Sequence, residues 1–220
     1  MDISMMDIST LVQDERGEFV EFLADLAPEQ WRVTSLCTDW TVKQLALHYL
    51  SSAETTPGRL LGALTACGFS PDRATARLIS ERAHLGHNEV VERLRALPVH
   101  AGLHRFYKPA ALLLETFTHH QDVRRPLGAA ERDFPPQRLT LVADKAVTSH
   151  AGTGAKKRAR GLRLEATDLD WSHGEGPTVA GSAEAIVMAL MGRSQALTDL
   201  SGEGTKLLAS RLREPRSPQH

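Results

Sequence analysis

The chain has 220 residues, of which 41% are hydrophobic and 24% charged, enough for one substantial core and a smaller appended unit. With 26 basic against 27 acidic side chains the formal net charge is -1, which removes any general electrostatic reason to expect nucleic acid or an anionic membrane as partner and makes a small molecule the default ligand. No apolar run approaches the roughly 18 residues that span a bilayer, and "MDISMMDIST" lacks the basic and apolar regions of a secretion signal, so a cytoplasmic protein is expected.

The doubled Met-Asp-Ile-Ser reads as two translation starts, with Met1 to Met5 adding little to the fold. Apolar residues at Ile8, Leu11, Val12, Phe19, Phe22, Leu23 and Leu26 then recur at the three-four spacing of an amphipathic helix, which Pro28 ends. A second helix opens after "CTDW", with Thr38 or Asp39 as cap, carries Val42, Leu45, Ala46, Tyr49 and Leu50, and stops near Thr55. A short helix over Arg59 to Ala66 precedes a third main helix that has Ser70 as cap and Pro71 at its first position and runs to about Leu97. "ALPVHAGLHRFYKP" is loop by composition, and Pro109 starts a fourth main helix that lasts to about Val123, before "RRPLG".

After Gly128 the pattern changes. "PPQRLTLVADKAVTSH" reads as a fifth helix, "GTGAKKRARG" as an exposed linker, "LRLEATDLDWSHGEG" as a strand or hairpin, and "SAEAIVMALMGRSQALTDL" as helix again. The expected fold is mainly α: a four-helix bundle over 1–130, a small α+β extension over 131–210 and a mobile tail over 211–220.

Glu115 lies among Leu112, Leu113, Leu114 and Phe117, on a segment that otherwise reads as a buried helix face. An ionised carboxylate there costs roughly several kcal/mol unless something pairs with it. His119, four residues on, projects from the same side of the helix. A carboxylate and a neutral imidazole suit zinc or another borderline divalent ion, and a catalytic zinc site typically takes three protein ligands and keeps one position open. His48, among apolar neighbours on the second helix, is the natural third ligand. Asp122 is placed to hold the N–H of a metal-bound His119, although capping or pairing with Arg124 or Arg125 fits it as well. Each of these residues has an ordinary structural reading, as a satisfied core histidine or a paired acid. His84, His87, His100, His104 and His150 carry no comparable signal. Cys37 and Cys67 are too few for a disulfide framework and match no Cys-pair metal motif; both read as reduced, structural thiols, with a reactive role open for Cys37 because it lies near the proposed site.

"CTDWTVKQLALHYL" resembles the W-T-V-x-x-x-x-x-H helix of the mycothiol-dependent maleylpyruvate isomerase family, within the DinB-like superfamily, and "ETFTHHQDVRRPLG" is similar to its E-x-x-x-H-H-x-D segment. "ATDLDWSHGEGPTVAGSAEAIVMALMGR" resembles the C-terminal extension of actinobacterial members. The resemblance implies a DinB-like four-helix bundle with a divalent metal, usually zinc, on His48, Glu115 and His119. It also implies mycothiol or a similar low-molecular-weight thiol as cofactor or co-substrate, and Arg193, in "LMGR", as the candidate for the catalytic arginine of the extension. A Gly-Arg after a helix is equally a C-terminal stop.

The expected function is therefore S-transfer to, or cis-trans isomerisation of, a small electrophile. Two alternatives stay open: a metal-dependent hydrolase on the same bundle with Asp122 as general base, and a non-catalytic binding or regulatory protein, for which the basic cluster at Lys156, Lys157, Arg158, Arg160 and Arg163 would be the partner surface. Oligomeric state is open, a homodimer included.

Overall fold

The structure, a computed structural model, describes residues 5–37, 40–129, 132–149 and 153–213. The expectations for residues 1–4, for Thr38 and Asp39 as caps and for the tail beyond Arg213 lie outside the described residues. The chain divides into two compact units, Met1–Ala129 and Ala130–His220.

The first unit is helical: α1 (Met5–Ala24), α2 (Val42–Glu54), α3 (Pro57–Ala66), α4 (Pro71–Ser80), α5 (His87–Ala96) and α6 (Pro109–Arg124). α1 packs along α5 and α6, and α2 packs on α4 and α5. The core they enclose includes Phe19, Leu23, Trp31, Leu45, Tyr49, Leu50, Val90, Leu94 and Val123, each large apolar side chain contributing about 1.5–3 kcal/mol through burial. α2 begins at a reciprocal cap: Gln44 N–H donates to the Thr41 hydroxyl at 3.2 Å, and Thr41 N–H donates to Gln44 Oε1 at 2.9 Å.

The single helix expected from Pro71 to Leu97 is two. Arg82 turns back, its Nε 2.8 Å from Glu54 on α2 and its NH1 donating to the Leu78 carbonyl at 2.9 Å. Leu85 drops into the core, 1% exposed, and Gly86 is extended before α5 restarts. The break lets two short helices both meet α2, and the apolar spacing of each half disguises it. Within the expected loop after Leu97, Gly102 to Phe106 form a 3-10 turn. Gly102 has φ +53, and a Cβ there would collide with the Ala53 carbonyl, so the missing side chain lets this turn lie directly on α2.

The second unit holds α7 (Pro136–Thr148), α8 (Ala155–Ala159), β1 (Arg163–Ala166), β2 (Ser172–His173), β3 (Thr178–Gly181), α9 (Ala183–Leu190) and α10 (Thr205–Arg213). The sheet order is β2-β1-β3. β1 pairs antiparallel with β2, Leu164 opposite His173, and parallel with β3, Leu164 opposite Val179. The hairpin matches the sequence pattern, whereas β3 lies beyond the stretch that the pattern marked. Every residue of α9 is buried, and Ser182 caps it by accepting from Ala185 N–H at 3.1 Å.

Two expectations are corrected here. "GTGAKKRARG" is not an exposed linker: it contains α8, with Ala155 and Ala159 buried and Arg158 NH1 donating to the Leu190 carbonyl at 2.8 Å. The chain is also not loose from Arg211, because α10 runs to Arg213, Leu208 is wholly buried and Arg211 NH1 donates to the Arg158 carbonyl at 2.6 Å. In both places charged surface residues hid a few small or apolar ones that reach the interior.

The cap of α2 gives a direct check. Thr41→Ala removes the hydroxyl that accepts from Gln44 N–H while leaving the Thr41 N–H free to bond Gln44 Oε1, and is expected to lower stability by about 1 kcal/mol, read by urea denaturation with an unchanged m-value.

Candidate metal centre

Pro109 starts α6 where its missing N–H costs nothing. Leu112 to Leu114 and Thr116 to Val123 are all buried, so this helix has almost no wet face and its polar side chains must find partners inside. Thr116 Oγ1 lies 2.9 Å from the Tyr49 hydroxyl of α2. Thr118 donates to the Leu114 carbonyl at 2.7 Å. His120 turns toward α1, its Nδ1 2.9 Å from Glu15 Oε1 and its ring 5.1 Å from that of Phe19. The Arg124 guanidinium lies over the Phe22 ring at 4.5 Å.

On the side facing α2, ligand atoms of His48, Glu115 and His119 all lie within 4.8 Å of one another. The His48 and His119 rings are 5.4 Å apart and nearly perpendicular. Glu115 Oε2 and His48 Nδ1 are buried with no hydrogen-bond partner. His119 Nδ1 is 3.2 Å from Asp122 Oδ2. The wholly buried carboxylate of Asp122, when ionised, can only accept, so it fixes the tautomer that leaves Nε2 with a lone pair. Trp40, 4.9 Å from the His48 ring, and Tyr49, 6.5 Å from that of His119, form apolar walls.

The electrostatics are those of a site missing positive charge. Burial pushes the Glu115 carboxyl up, opposed by His119 and by the nearby Tyr107 hydroxyl. Burial, then the charges of His119 and His104, push His48 down to about 3. Burial opposes a charged His119, but hydrogen bonds to Asp122 and Cys37 outweigh it and push this group up to about 10. The cluster thus holds a proton on His119 where one divalent ion would satisfy two imidazoles and a carboxylate together. Two orphaned buried atoms and a borderline donor set fit such an ion.

His48, Glu115, His119 and Asp122 are therefore brought together. Arg193 belongs to the second unit, where it is 8% exposed and its NH1 donates to the Met191 carbonyl at 2.6 Å. Three further residues neighbour the site: Cys37, which the sequence placed near it but read as structural, and Tyr107 and His104, which the sequence left out. Cys37 precedes the capped helix and comes within 4.8 Å of ligand atoms of His119 and Asp122. Tyr107 adjoins Glu115. His104 is wholly buried against the Tyr49 ring at 5.0 Å. Only their proximity in chain to Trp40 and Pro109 hinted at this. His87, read as solvated, stacks on Trp31 at 4.5 Å.

Ion binding must displace the His119 proton. Because its pKa is raised to about 10, His119 is charged at neutral pH, and affinity for zinc is expected to rise with pH from 6 to 9 by close to one proton released per ion. Competition titrations against a chromophoric chelator measure that slope; a pH-independent affinity contradicts it.

The model of the mycothiol maleylpyruvate isomerase N-terminal domain matches residues 12–138, more than half of the chain and all four residues of the cluster. No curated protein matches. Two solved structures of the mycothiol-dependent maleylpyruvate isomerase are similar. One, a variant with alanine in place of a histidine, is 17% identical with a TM-score of 0.59; the other is 19% identical with a TM-score of 0.57. Each alignment covers 99% of this chain and 97% of that one, and establishes a shared DinB-like fold. The chain belongs to the mycothiol maleylpyruvate isomerase family of thiol-using enzymes.

Proposed function

We propose that the chain is a metal-dependent enzyme that uses mycothiol or a similar low-molecular-weight thiol, either to isomerise a small unsaturated electrophile between cis and trans forms or to conjugate one. The observation that carries the reading is the convergence of His48, Glu115 and His119 inside the family-matched span, with two of their buried atoms lacking hydrogen-bond partners. A divalent ion on these three residues, zinc by the donor set, would favour the ionised form of a thiol at neutral pH, where a free thiol of pKa about 8.5 is only a few per cent ionised.

The remaining roles belong to the chain itself. Asp122 holds His119 in one tautomer and orientation. Trp40 and Tyr49 limit water around the imidazoles and so strengthen the local electrostatics. A thiolate that adds to a conjugated double bond converts it to a single bond; rotation followed by departure of the same thiolate gives the isomer, whereas retention of the thiol gives the conjugate. Arg193 is our candidate for the catalytic arginine of the family's C-terminal extension. The hydrolase alternative is weaker because Asp122, its proposed base, is wholly buried and already engaged by His119. No described helix is long and apolar enough to cross a membrane, and we assign the enzyme to the cytoplasm, where the thiol is kept reduced.

Elemental analysis of the purified protein tests the reading. About one zinc or other divalent ion per chain is expected in the wild type, with loss in both His48→Ala and His119→Ala, and thiol-dependent turnover should fall at least about 100-fold in each. Metal content unaffected by both substitutions would return Glu115 to a structural role and remove the mechanism.

A further inference from the structure

His119 belongs to two groups of converging donors. Besides His48 and Glu115, it shares a second set with Cys37 and Asp122, whose ligand atoms also lie within 4.8 Å of one another. This second set is chemically different. It offers a sulfur, a ring nitrogen and a carboxylate oxygen, and two anionic donors where the first set has one. A thiolate and a carboxylate with a neutral imidazole balance the charge of a divalent cation, and the sulfur suits cadmium and other thiophilic ions as well as zinc.

The local structure holds these donors in place. The Leu36 N–H donates to the Asp122 backbone carbonyl at 3.0 Å, which ties the segment before α2 to the end of α6. The Cys37 N–H donates to Ser35 Oγ at 3.2 Å. Asp122 is wholly buried, His119 is 8% exposed and Cys37 is half-buried, so the set has two anchored interior donors and one at the edge. Asp122 already meets His119 at Nδ1, 3.2 Å away.

We infer that Cys37, His119 and Asp122 form a second cation position, open to thiophilic ions and separate from the position between His48, Glu115 and His119. An ion entering it replaces the His119 Nδ1 proton and the proton of the Cys37 thiol, and both protons go to solvent; with the first position also filled, His119 would bridge the two ions as an imidazolate. Through the shared imidazole, occupancy here alters the first position, so the enzyme is open to inhibition by soft metals that do not displace its own ion.

Cadmium(II) titration followed by thiolate-to-cadmium charge-transfer absorption tests this on wild type, Cys37→Ser, Cys67→Ser, and both His48→Ala and His48→Gln, the last guarding against a folding failure in the alanine variant. The band is expected in the wild type and in Cys67→Ser, retained in a folded His48 variant, and lost in Cys37→Ser with cadmium affinity down by about 10-fold or more. No band in the wild type, or one that survives Cys37→Ser, overturns the inference. So does a band that disappears with His48, because Cys37 would then be a ligand of the single shared ion. The inference shares His119 with the proposed function, yet the two fail separately: a wild type with the cadmium band but no bound zinc removes only the functional reading, and one with zinc but no band removes only this position.

Discussion

The constraint on which the first unit depends is the cost of enclosing a helix that carries many polar side chains. α6 is buried along nearly its whole length, yet it includes Glu115, Thr116, Thr118, two histidines, Gln121 and Asp122. Each such group forfeits hydration worth roughly 1–3 kcal/mol or more if left unpaired. Packing must therefore bring a partner to each position, and the surrounding helices are placed to do so: Tyr49 on α2 for Thr116, Glu15 on α1 for His120, and Asp122 on α6 itself for His119. On the side toward α2, Glu115 Oε2 and His48 Nδ1 stay unmatched. Other buried polar atoms also lack a partner, His104 Nδ1 and Thr55 Oγ1 among them, but these two belong to residues whose ligand atoms converge with those of His119, which makes this the candidate ligand position.

The same economy explains how the fold survives at 17% and 19% identity to the two solved isomerases. A bundle asks of its core positions only that they be apolar, of suitable volume and correctly spaced. The core of Phe19, Leu45, Leu50, Val90 and Leu94 meets that demand with residues that others could replace. A donor cluster is less tolerant, because side chains from α2 and α6 have to arrive within a few ångströms of each other. Such precision needs rigid elements on both sides, here a reciprocally capped α2 and an α6 locked by its own buried partners.

His119 carries a double load. Asp122 clamps its ring at Nδ1, and the ring's ligand atoms converge both with those of Cys37 and Asp122 and with those of His48 and Glu115. A hydrogen-bonded imidazole is a stronger and better oriented donor than an isolated one. The arrangement also places a thiol beside the same ring, so the chemistry of the centre depends on residues from three parts of the chain: the segment before α2, α2 itself and α6.

By itself the sequence determined the helical class of the first unit, the extents of α2 and α6 to within a few residues, the hairpin of the second unit, and the pairing of Glu115 with His119, since all are local consequences of a 3.6- or 2-residue period. His48 was legible as a polar ring on an apolar face, and the resemblance to a family tied it to α6, a link that periodicity could not make. Tertiary structure decided the rest. Arg82 reaching Glu54 broke one expected helix into α4 and α5, α8 and α10 buried Ala155 and Leu208 beneath a charged surface, and Cys37 came beside His119. These depend on contacts between residues distant in the chain, and such contacts leave no period behind in the sequence.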